Sequence, residues 1–316
     1  MNKLSEGQKM WLTVMVIFAI FAVTFIIFED YDRRWIEPFE EVSDWHLLGF
    51  SIVVLIGLGY LLHRYARKMD ERISREQVEK ENQMRRELTQ NIAHELKTPV
   101  ASILGYTETI LHTPDIDNET KQKFIERSHT QAKRLTALLQ DISVLNRIDY
   151  APNVLTFEPV DIAAMVSDIA LETAQSLSEQ KMTLRNCLPQ GIHVEGNTML
   201  IYSIFRNLTD NAIKYAGTGT TIEITAHDDT QNWHFTFADN GRGIPPKHMP
   251  RIFERFYRID KSRSRELGGT GLGLAIVKNA VALHGGTISA TQSPGGGLTF
   301  EFSLMKKHSK HTSQNN

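Results

Sequence analysis

Two asparagines in the C-terminal half of the chain have a spacing that suits a metal-bound phosphate. Asn207 and Asn211 lie in the stretch NLTDN, inside a predicted helix, where residues four apart share one face. A neutral side-chain oxygen is a suitable ligand for Mg²⁺ beside the oxygens of a triphosphate. Lys214 and Tyr215 follow one turn later and add a cation and a hydroxyl. This segment predicts the phosphate end of a nucleotide site, with Asn211 as the metal ligand.

Two glycine-rich segments further along the chain add groups for the rest of a nucleotide. The stretch DNGRG, 239–243, ends a predicted strand, and its carboxylate at Asp239 can accept a hydrogen bond from an exocyclic amine. Gly241 and Gly243 let the backbone pass close to a ligand. The stretch GGTGLG, 268–273, opens a predicted helix whose unpaired N–H groups can hold phosphate. The candidate binding residues in this second stretch are Gly269, Thr270, Gly271, Leu272 and Gly273.

Neither glycine-rich stretch matches the two commonest phosphate-binding motifs. A dinucleotide fingerprint belongs to the first strand–helix turn of a parallel unit, whereas 268–273 lies near the chain end. A Walker A loop ends in Gly-Lys-Ser/Thr, which is absent from these segments. Each segment alone is a weak signal, and the order and spacing of the set predict the nucleotide site.

A histidine far upstream is placed to act as a nucleophile. His94 lies in the stretch NIAHELKTPVASILGY, two residues from both Ile92 and Leu96 of an apolar line, so it faces away from that line. Thr98, one turn later, shares its face. The carboxylate of Glu95 beside it favours the imidazole tautomer whose distal nitrogen is available to attack. In isolation such a residue is an ordinary surface histidine.

The elements that position these groups fall into two classes. Helices are predicted over 64–112 and 119–148, and their apolar faces favour a four-helix bundle formed by two chains. The segment 63–87 is interpreted as a signalling helix, either paired as a coiled coil or solvated alone. After residues 149–153 the pattern changes to mixed strands and helices, with helices over 161–180, 198–216 and 271–284. Strands are predicted over 182–187, 192–195, 221–227, 233–238, 286–291 and 297–304.

The N-terminal region carries two uncharged apolar runs. Residues 11–28 and 47–62 are predicted transmembrane helices joined by a short extracytoplasmic loop, 29–46. That loop holds seven acids and two bases, whereas a basic run follows the second span, so both termini are expected in the cytoplasm. The cytoplasmic N-terminus is then 1–10, and the polar tail 306–316 is predicted to be disordered.

The bulk composition limits the function classes. A net charge of −2 gives no sign of a nucleic-acid binder. The single cysteine, Cys187, excludes an internal disulfide framework and suits a reducing compartment.

The segments together resemble a known family over about residues 80–305. NIAHELKTPVASILGY resembles the H box of bacterial membrane sensor histidine kinases of two-component systems, in the subgroup with a phosphate-regulon-type core. NLTDNAIKYA resembles the N box, DNGRGIP the first glycine box, RIFERFYRID the F box and GGTGLGLAIVK the second glycine box. The resemblance implies a membrane-anchored α plus α/β chain. Its parts are a dimeric antiparallel helical hairpin for histidine phosphotransfer, 88–149, and an α/β-sandwich ATP-binding domain of the histidine kinase, Hsp90 and gyrase type, 154–305.

The same resemblance assigns roles to individual residues. His94 becomes the phosphoacceptor, Glu95 the adjacent base or orienting carboxylate, and Thr98 the residue that positions water for a phosphatase reaction. Asn211 with Asn207 forms the Mg²⁺ and phosphate side, Lys214 and Tyr215 are nucleotide contacts, and Asp239 recognises adenine. Phe253 and Arg258 belong to a lid, about 246–269, that closes on ATP.

The implied reaction is ATP-dependent phosphorylation of His94, with transfer to an aspartate of a separate response regulator and dephosphorylation of that regulator. Related ATPases hydrolyse ATP with a glutamate four residues before the metal-binding asparagine, where this chain has Asn207, which cannot take a proton from water. The loop 29–46 is too small for a packed sensor domain, so the stimulus is expected to be read by that loop, by the spans themselves or by an accessory sensing protein. Two alternatives stay open: a membrane-bound scaffold with a degenerate nucleotide domain, and a net phosphatase.

Overall fold

The computed structural model of the protein describes residues 40–150, 155–260, 269–293 and 295–307. The chain divides into two units, Met1–Met84 and Arg85–Asn316, and every contact described below lies within the second. Within the described ranges, no helix combines the length and the apolar composition that crossing a membrane requires. The predicted first span, 11–28, the N-terminus 1–10 and most of the tail lie outside them.

Two long helices begin the described chain. Helix α1, Glu40–His112, runs without interruption through Pro99, and α2, Asn118–Tyr150, follows a short turn. The turn, 113–117, is held by Asp117, whose Oδ1 accepts the backbone N–H of Thr120 at 2.8 Å. Residues 40–46, the last part of the predicted loop 29–46, are helical and belong to α1.

The rest of the chain alternates strands with shorter helices. In chain order the elements are β1 Glu158–Asp161, α3 Ile162–Glu172, α4 Ala174–Glu179, β2 Thr183–Asn186, β3 His193–Gly196 and α5 Thr198–Tyr215. They continue with β4 Thr221–Asp228, β5 Asn232–Asp239, a 3₁₀ helix Pro246–Arg251, α6 Gly273–Leu283, β6 Ile288–Gln292 and β7 Leu298–Met305.

Five of the strands form one sheet, in the order β2-β4-β5-β7-β6, with β2 and β4 parallel and the other pairs antiparallel. One face of this sheet packs on the helices, because alternate residues of β5 and β7 are large and apolar. Phe205 of α5 meets the rings of Phe235 and Phe302 edge-on, each at 5.6 Å between centroids. The result is a two-layer α/β sandwich whose helices α5 and α6 are held at fixed positions above the sheet.

The predicted elements of the sandwich are found close to their expected bounds. Asp161 caps α3, since its Oδ1 accepts the N–H of Ala164 at 3.0 Å. The single helix predicted over 161–180 breaks at Thr173 into α3 and α4. Strand β1, which pairs antiparallel with β3, was not predicted because it is only four residues long and includes Pro159.

Candidate active site

A cavity of about 1040 Å³ lies beside α5, α6 and the end of β5. It is large enough to enclose much of a nucleotide. The structure places eleven of the predicted site residues in its wall: Asn207, Asn211, Lys214, Tyr215, Asp239, Gly243, Arg258, Gly269, Thr270, Gly271 and Gly273. Segments separated by up to 66 positions in the sequence therefore meet around one space.

Helix α5 supplies the stripe of polar groups in this wall. The core face of this helix, which includes Ile201, Ile204 and Phe205, is fully buried, so the helix cannot rotate without exposing apolar surface. Asn207 and Asn211 are consequently directed to the cavity. Asn207 is fixed further, because its Nδ2 donates to the carbonyl oxygen of Ser203 at 2.8 Å.

Asp239 ends β5 and is only 6% exposed. Its Oδ1 accepts the backbone N–H of Gly241 at 2.9 Å. Burial raises the pKa of Asp239, and hydrogen bonds from the backbone of Gly241 and Leu298 oppose that rise. Gly297 has a φ of +90°, and a Cβ there would lie 2.0 Å from the carbonyl oxygen of Asp239. A glycine is therefore required at 297, which the sequence placed only as the first residue of a predicted strand.

Helix α6 begins at Gly273, directly against α5. A Cβ on Gly273 would lie 2.5 Å from Oδ1 of Asn207, so the glycine permits the close approach of the two helices. The preceding residues Thr270 and Gly271 line the cavity, and the N-terminus of α6 faces the same stretch of wall through Gly273. This arrangement can hold a phosphate at a helix N-terminus.

Three predicted binding residues do not line the cavity. Gly241 lies against the end of α5, where a Cβ would be 2.4 Å from the carbonyl oxygen of Ala216. Phe253 packs edge-on against Phe300, with 6.3 Å between ring centroids. Leu272 is fully buried in a cluster with Leu138 and Leu145 of α2. Each has a structural role in the described arrangement.

His94 is exposed on α1, as its position opposite the apolar line predicts, and it is not among the residues that line the cavity. The hydroxyl of Thr98 donates to the carbonyl oxygen of His94 at 3.3 Å. Oε2 of Glu95 accepts from Nη2 of Arg134 and from Nη2 of Arg258, both at 3.0 Å. The residues assigned to the phosphoacceptor helix are thus near one another but outside the cavity.

Sequence reasoning missed the contribution of α2 to this site. Asp141 lines the cavity, and its Oδ2 accepts a hydrogen bond from the hydroxyl of Thr270 at 2.6 Å. Burial raises the pKa of Asp141, whereas that hydrogen bond and the charge of Lys214 lower it. Arg134, beside Glu95, was also missed. No motif marks Arg134 or Asp141. The available signal was that both are charged residues placed between the apolar positions of α2.

The donors in the cavity wall fit a triphosphate. Arg258 lines the cavity with a side chain only 4% exposed, yet its Nε–H has no hydrogen-bond partner among the described residues. A buried donor without a partner is costly, and a phosphate oxygen would satisfy it. No cluster of three or more acidic, histidine or cysteine side chains in the described ranges could hold a metal ion. Separately, Asn211 offers a neutral side-chain oxygen in the cavity wall, a donor that fits a Mg²⁺ ion whose remaining ligands are phosphate oxygens and water.

Comparisons with known families match two consecutive parts of the chain. Residues 84–151 match the His Kinase A (phospho-acceptor) domain, and residues 196–308 match the histidine kinase-, DNA gyrase B-, and HSP90-like ATPase family. The first match contains His94, and the second contains every predicted residue that lines the cavity. The second match also establishes the ATP-binding character of the sandwich.

Curated relatives extend the likeness across both parts. The sensor-like histidine kinase SenX3 of Mycolicibacterium smegmatis is 35% identical over 220 residues, 70% of this chain and 57% of the relative. The phosphate regulon sensor protein PhoR of Pseudomonas aeruginosa is 36% identical over 221 residues, 69% of this chain and 49% of the relative. The chain thus spans about half the length of these relatives.

A solved structure shares the fold of the described chain. The histidine kinase ThkA, solved in complex with the response regulator protein TrrA, superposes with a TM-score of 0.56 at 23% identity, over 70% of this chain and 61% of that one. The two family matches and the relatives identify the same two parts that the structure shows, a phosphoacceptor hairpin and a sandwich with a nucleotide-sized cavity. The chain belongs to the sensor histidine kinases of two-component systems, with a core like that of the phosphate-regulon sensors.

Proposed function

We propose that the protein is an ATP-dependent protein-histidine kinase that phosphorylates itself at His94. The observation that carries this proposal is the cavity: it joins the predicted phosphate and adenine groups to a wall formed by α2 of the phosphoacceptor hairpin. An ATP-binding sandwich and an exposed histidine on that same hairpin are the two parts that the reaction needs.

The reaction is an in-line phosphoryl transfer. The neutral imidazole of His94 forms a P–N bond with the γ-phosphorus as the bond to the β-phosphate oxygen breaks, and ADP leaves. Lys214 and Arg258 offset the charge of the triphosphate, and Asp239 orients the adenine through its exocyclic amine. Asn211 would hold Mg²⁺, which supplies further neutralisation of phosphate charge when bound.

A single substitution tests the acceptor. His94→Gln should abolish acid-labile, base-stable labelling from γ-labelled ATP, because a carboxamide cannot form the phosphoramidate bond. Nucleotide binding should survive, since His94 lies outside the cavity wall. His112→Gln, at another exposed histidine of the same helix, should label like the unchanged chain. Labelling that persists in His94→Gln would remove this residue from the proposal.

The phosphoryl group then passes to an aspartate on a separate response regulator, and Thr98 directs water when the regulator is dephosphorylated. ThkA was solved with a response regulator protein, which supports a partner of this kind. Loss of label from phosphorylated His94 on mixing with a receiver-domain protein measures the transfer. If Thr98 has this separate role, its replacement by alanine lowers regulator dephosphorylation more than autophosphorylation.

The proposed setting is the bacterial inner membrane, with 11–28 and 47–62 as anchors and the catalytic parts in the cytoplasm. Support comes from the two uncharged runs in the sequence and from the exposure of the second run's side chains, not from a spanning helix in the described ranges. Val53, Leu55 and Ile56 are each 66% exposed. Such a surface needs a nonaqueous neighbour. The stimulus reaches the kinase from this region, with or without an accessory sensing protein.

A further inference from the structure

Three side-chain contacts fasten the sandwich to its own phosphoacceptor hairpin. Glu95 of α1 pairs with Arg258 at 3.0 Å, Asp141 of α2 accepts from the hydroxyl of Thr270 at 2.6 Å, and Asp149 of α2 pairs with Arg255 at 2.8 Å. In every case the hairpin supplies the carboxylate and the sandwich supplies the donor. We call these three pairs the hairpin latch.

The latch surrounds a dry contact. Leu272 and Ile276 of the sandwich are buried with Leu138 and Leu145 of α2, and Phe256 packs on the same cluster. Phe256 has a φ of +62°, in the left-handed region that a bulky residue rarely adopts. The segment that contains Arg255, Phe256 and Arg258 therefore contributes both apolar burial and ion pairs to this contact, unlike a contact made by exposed polar side chains alone.

The latched arrangement cannot transfer phosphate to His94. A reacting histidine must approach the phosphorus to roughly 3–3.5 Å. The part of the hairpin that lines the cavity lies between Ala137 and Arg147 on α2, and His94 is not in the wall. Glu95, the carboxylate beside the nucleophile, is held by two arginines, one of which belongs to the sandwich.

Two latch donors belong to the nucleotide cavity. Arg258 and Thr270 both line it, so the carboxylates of Glu95 and Asp141 occupy donors that the phosphates of ATP would use. Arg258 is incompletely satisfied by the latch, because its buried Nε–H has no partner among the described residues. A phosphate offers this guanidinium a bidentate partner that the single oxygen of Glu95 does not.

We propose that the hairpin latch is an autoinhibitory contact in which hairpin carboxylates stand in for ATP phosphates, so that nucleotide binding and latch closure oppose each other. The proposal rests on the proposed kinase function for its consequence, the rate of His94 phosphorylation. By linkage, weakening any latch pair increases the fraction of molecules in which the latch is open. The apparent affinity for ATP should rise by the same factor as that fraction.

The Asp149–Arg255 pair allows a test by charge exchange outside the cavity wall. In the purified full-length chain in detergent, Asp149→Arg and Arg255→Asp each break the pair, and the double exchange restores it with opposite polarity. A partly exposed ion pair of this kind accounts for about a twofold to fivefold change in population. Each single variant should therefore bind a non-hydrolysable ATP analogue about two to five times more tightly and label His94 faster by a similar factor. The double variant should return to the original values.

Two further variants support the interpretation. Asp228→Arg breaks a comparable ion pair with Lys306, distant in sequence from the latch, and should change neither quantity. Asp141→Ala removes the carboxylate from Thr270 and keeps a strong helix former in α2, so it should tighten analogue binding even if the charge exchanges fail to fold.

The outcomes separate the latch from the kinase proposal. Unchanged affinity in both single variants and in Asp141→Ala would overturn the latch, as would a double exchange that stays at the elevated values. If no chain labels His94 while affinity changes as expected, the latch holds and the kinase assignment fails.

Discussion

At the scale of single residues, Asp239 shows how this fold holds a carboxylate in position to bind the adenine of ATP. The side chain is nearly buried, yet its Oδ1 accepts the N–H of Gly241, and its backbone oxygen accepts the hydroxyl of Ser293 at 3.0 Å. The N–H of Gly241 offsets part of the cost of burying the carboxylate and fixes its direction, and the Ser293 hydroxyl holds the backbone beside it. Burial still dominates, because the pKa of Asp239 is raised above its usual 3.8.

The raised pKa gives nucleotide binding a pH dependence with a definite sign. The buried charge of Asp239 costs stability above its raised pKa, and that cost disappears as the pH falls through it. Protonation also replaces a charge-assisted acceptor by a weaker neutral one, so affinity should fall on the same descent. A loss of about 1 kcal/mol, or roughly fivefold, is expected when the proton is bound. Calorimetry with an ATP analogue, from neutral pH toward the usual Asp range, measures it.

Two variants isolate this residue from the titration of the nucleotide itself. Asp239→Asn should bind the ATP analogue more weakly at neutral pH. Its affinity should not show the fall on acidification that protonation of Asp239 causes in the unchanged chain. Glu223→Gln, at an exposed acid of the neighbouring strand β4, should keep the original profile. Equal pH profiles for Asp239→Asn and the unchanged chain would show that Asp239 does not carry the dependence.

At the scale of elements, the helices α1 and α5 that carry site residues were predictable from their apolar periods, but the partners of these helices were not. The line Leu88, Ile92 and Leu96 placed His94 on the exposed side of α1, and the i, i+4 asparagines placed the polar stripe of α5. Periodicity reports which face is apolar and says nothing about which distant residue will meet it.

The contacts that the sequence could not supply are those made across the chain. Arg258 reaches Glu95 from 163 positions away, and Thr270 reaches Asp141 from 129. Both depend on how the sandwich docks on α2, which is decided by shape and by the buried cluster around Leu272. The same docking explains why Leu272, predicted to bind nucleotide, is instead part of that cluster.

The apolar segment of α1 carries a prediction about anchoring. A chain that begins at Glu40 should remain with membranes after alkaline carbonate washing if 47–62 is a span. Leu55→Arg with Ile56→Arg should release it, because each arginine costs about 2.5–3.5 kcal/mol at the centre of a membrane helix. Glu76→Arg, at an exposed position further along α1, should leave the distribution unchanged. Release of the chain without any substitution would argue against this span.

At the scale of the whole molecule, the hairpin is incomplete as a single copy. The predicted apolar line of α1 is half-buried, but a second line remains open, with Val100, Leu104 and Leu111 at 50%, 55% and 76% exposure. On α2, Ile125 and Leu139 are 47% and 49% exposed. Positions four and seven residues apart on α1 share one side of the helix. A second hairpin packed on this side would complete a four-helix bundle, which supports the proposed homodimer.

Breaking the second line of α1 should separate the protomers. Leu104→Glu removes a leucine that contributes about 1.5–3 kcal/mol when buried, and two-fold symmetry counts the loss twice. The dimer dissociation constant should therefore rise at least about a hundredfold, measured by sedimentation of the full chain in detergent. Leu171→Glu, at a leucine of α3 that is 76% exposed, should sediment like the unchanged protein. Because the sandwich does not depend on this surface, Leu104→Glu should still bind ATP analogue. An unchanged chain that sediments as a monomer would contradict the bundle and leave the exposed line of α1 without its proposed partner.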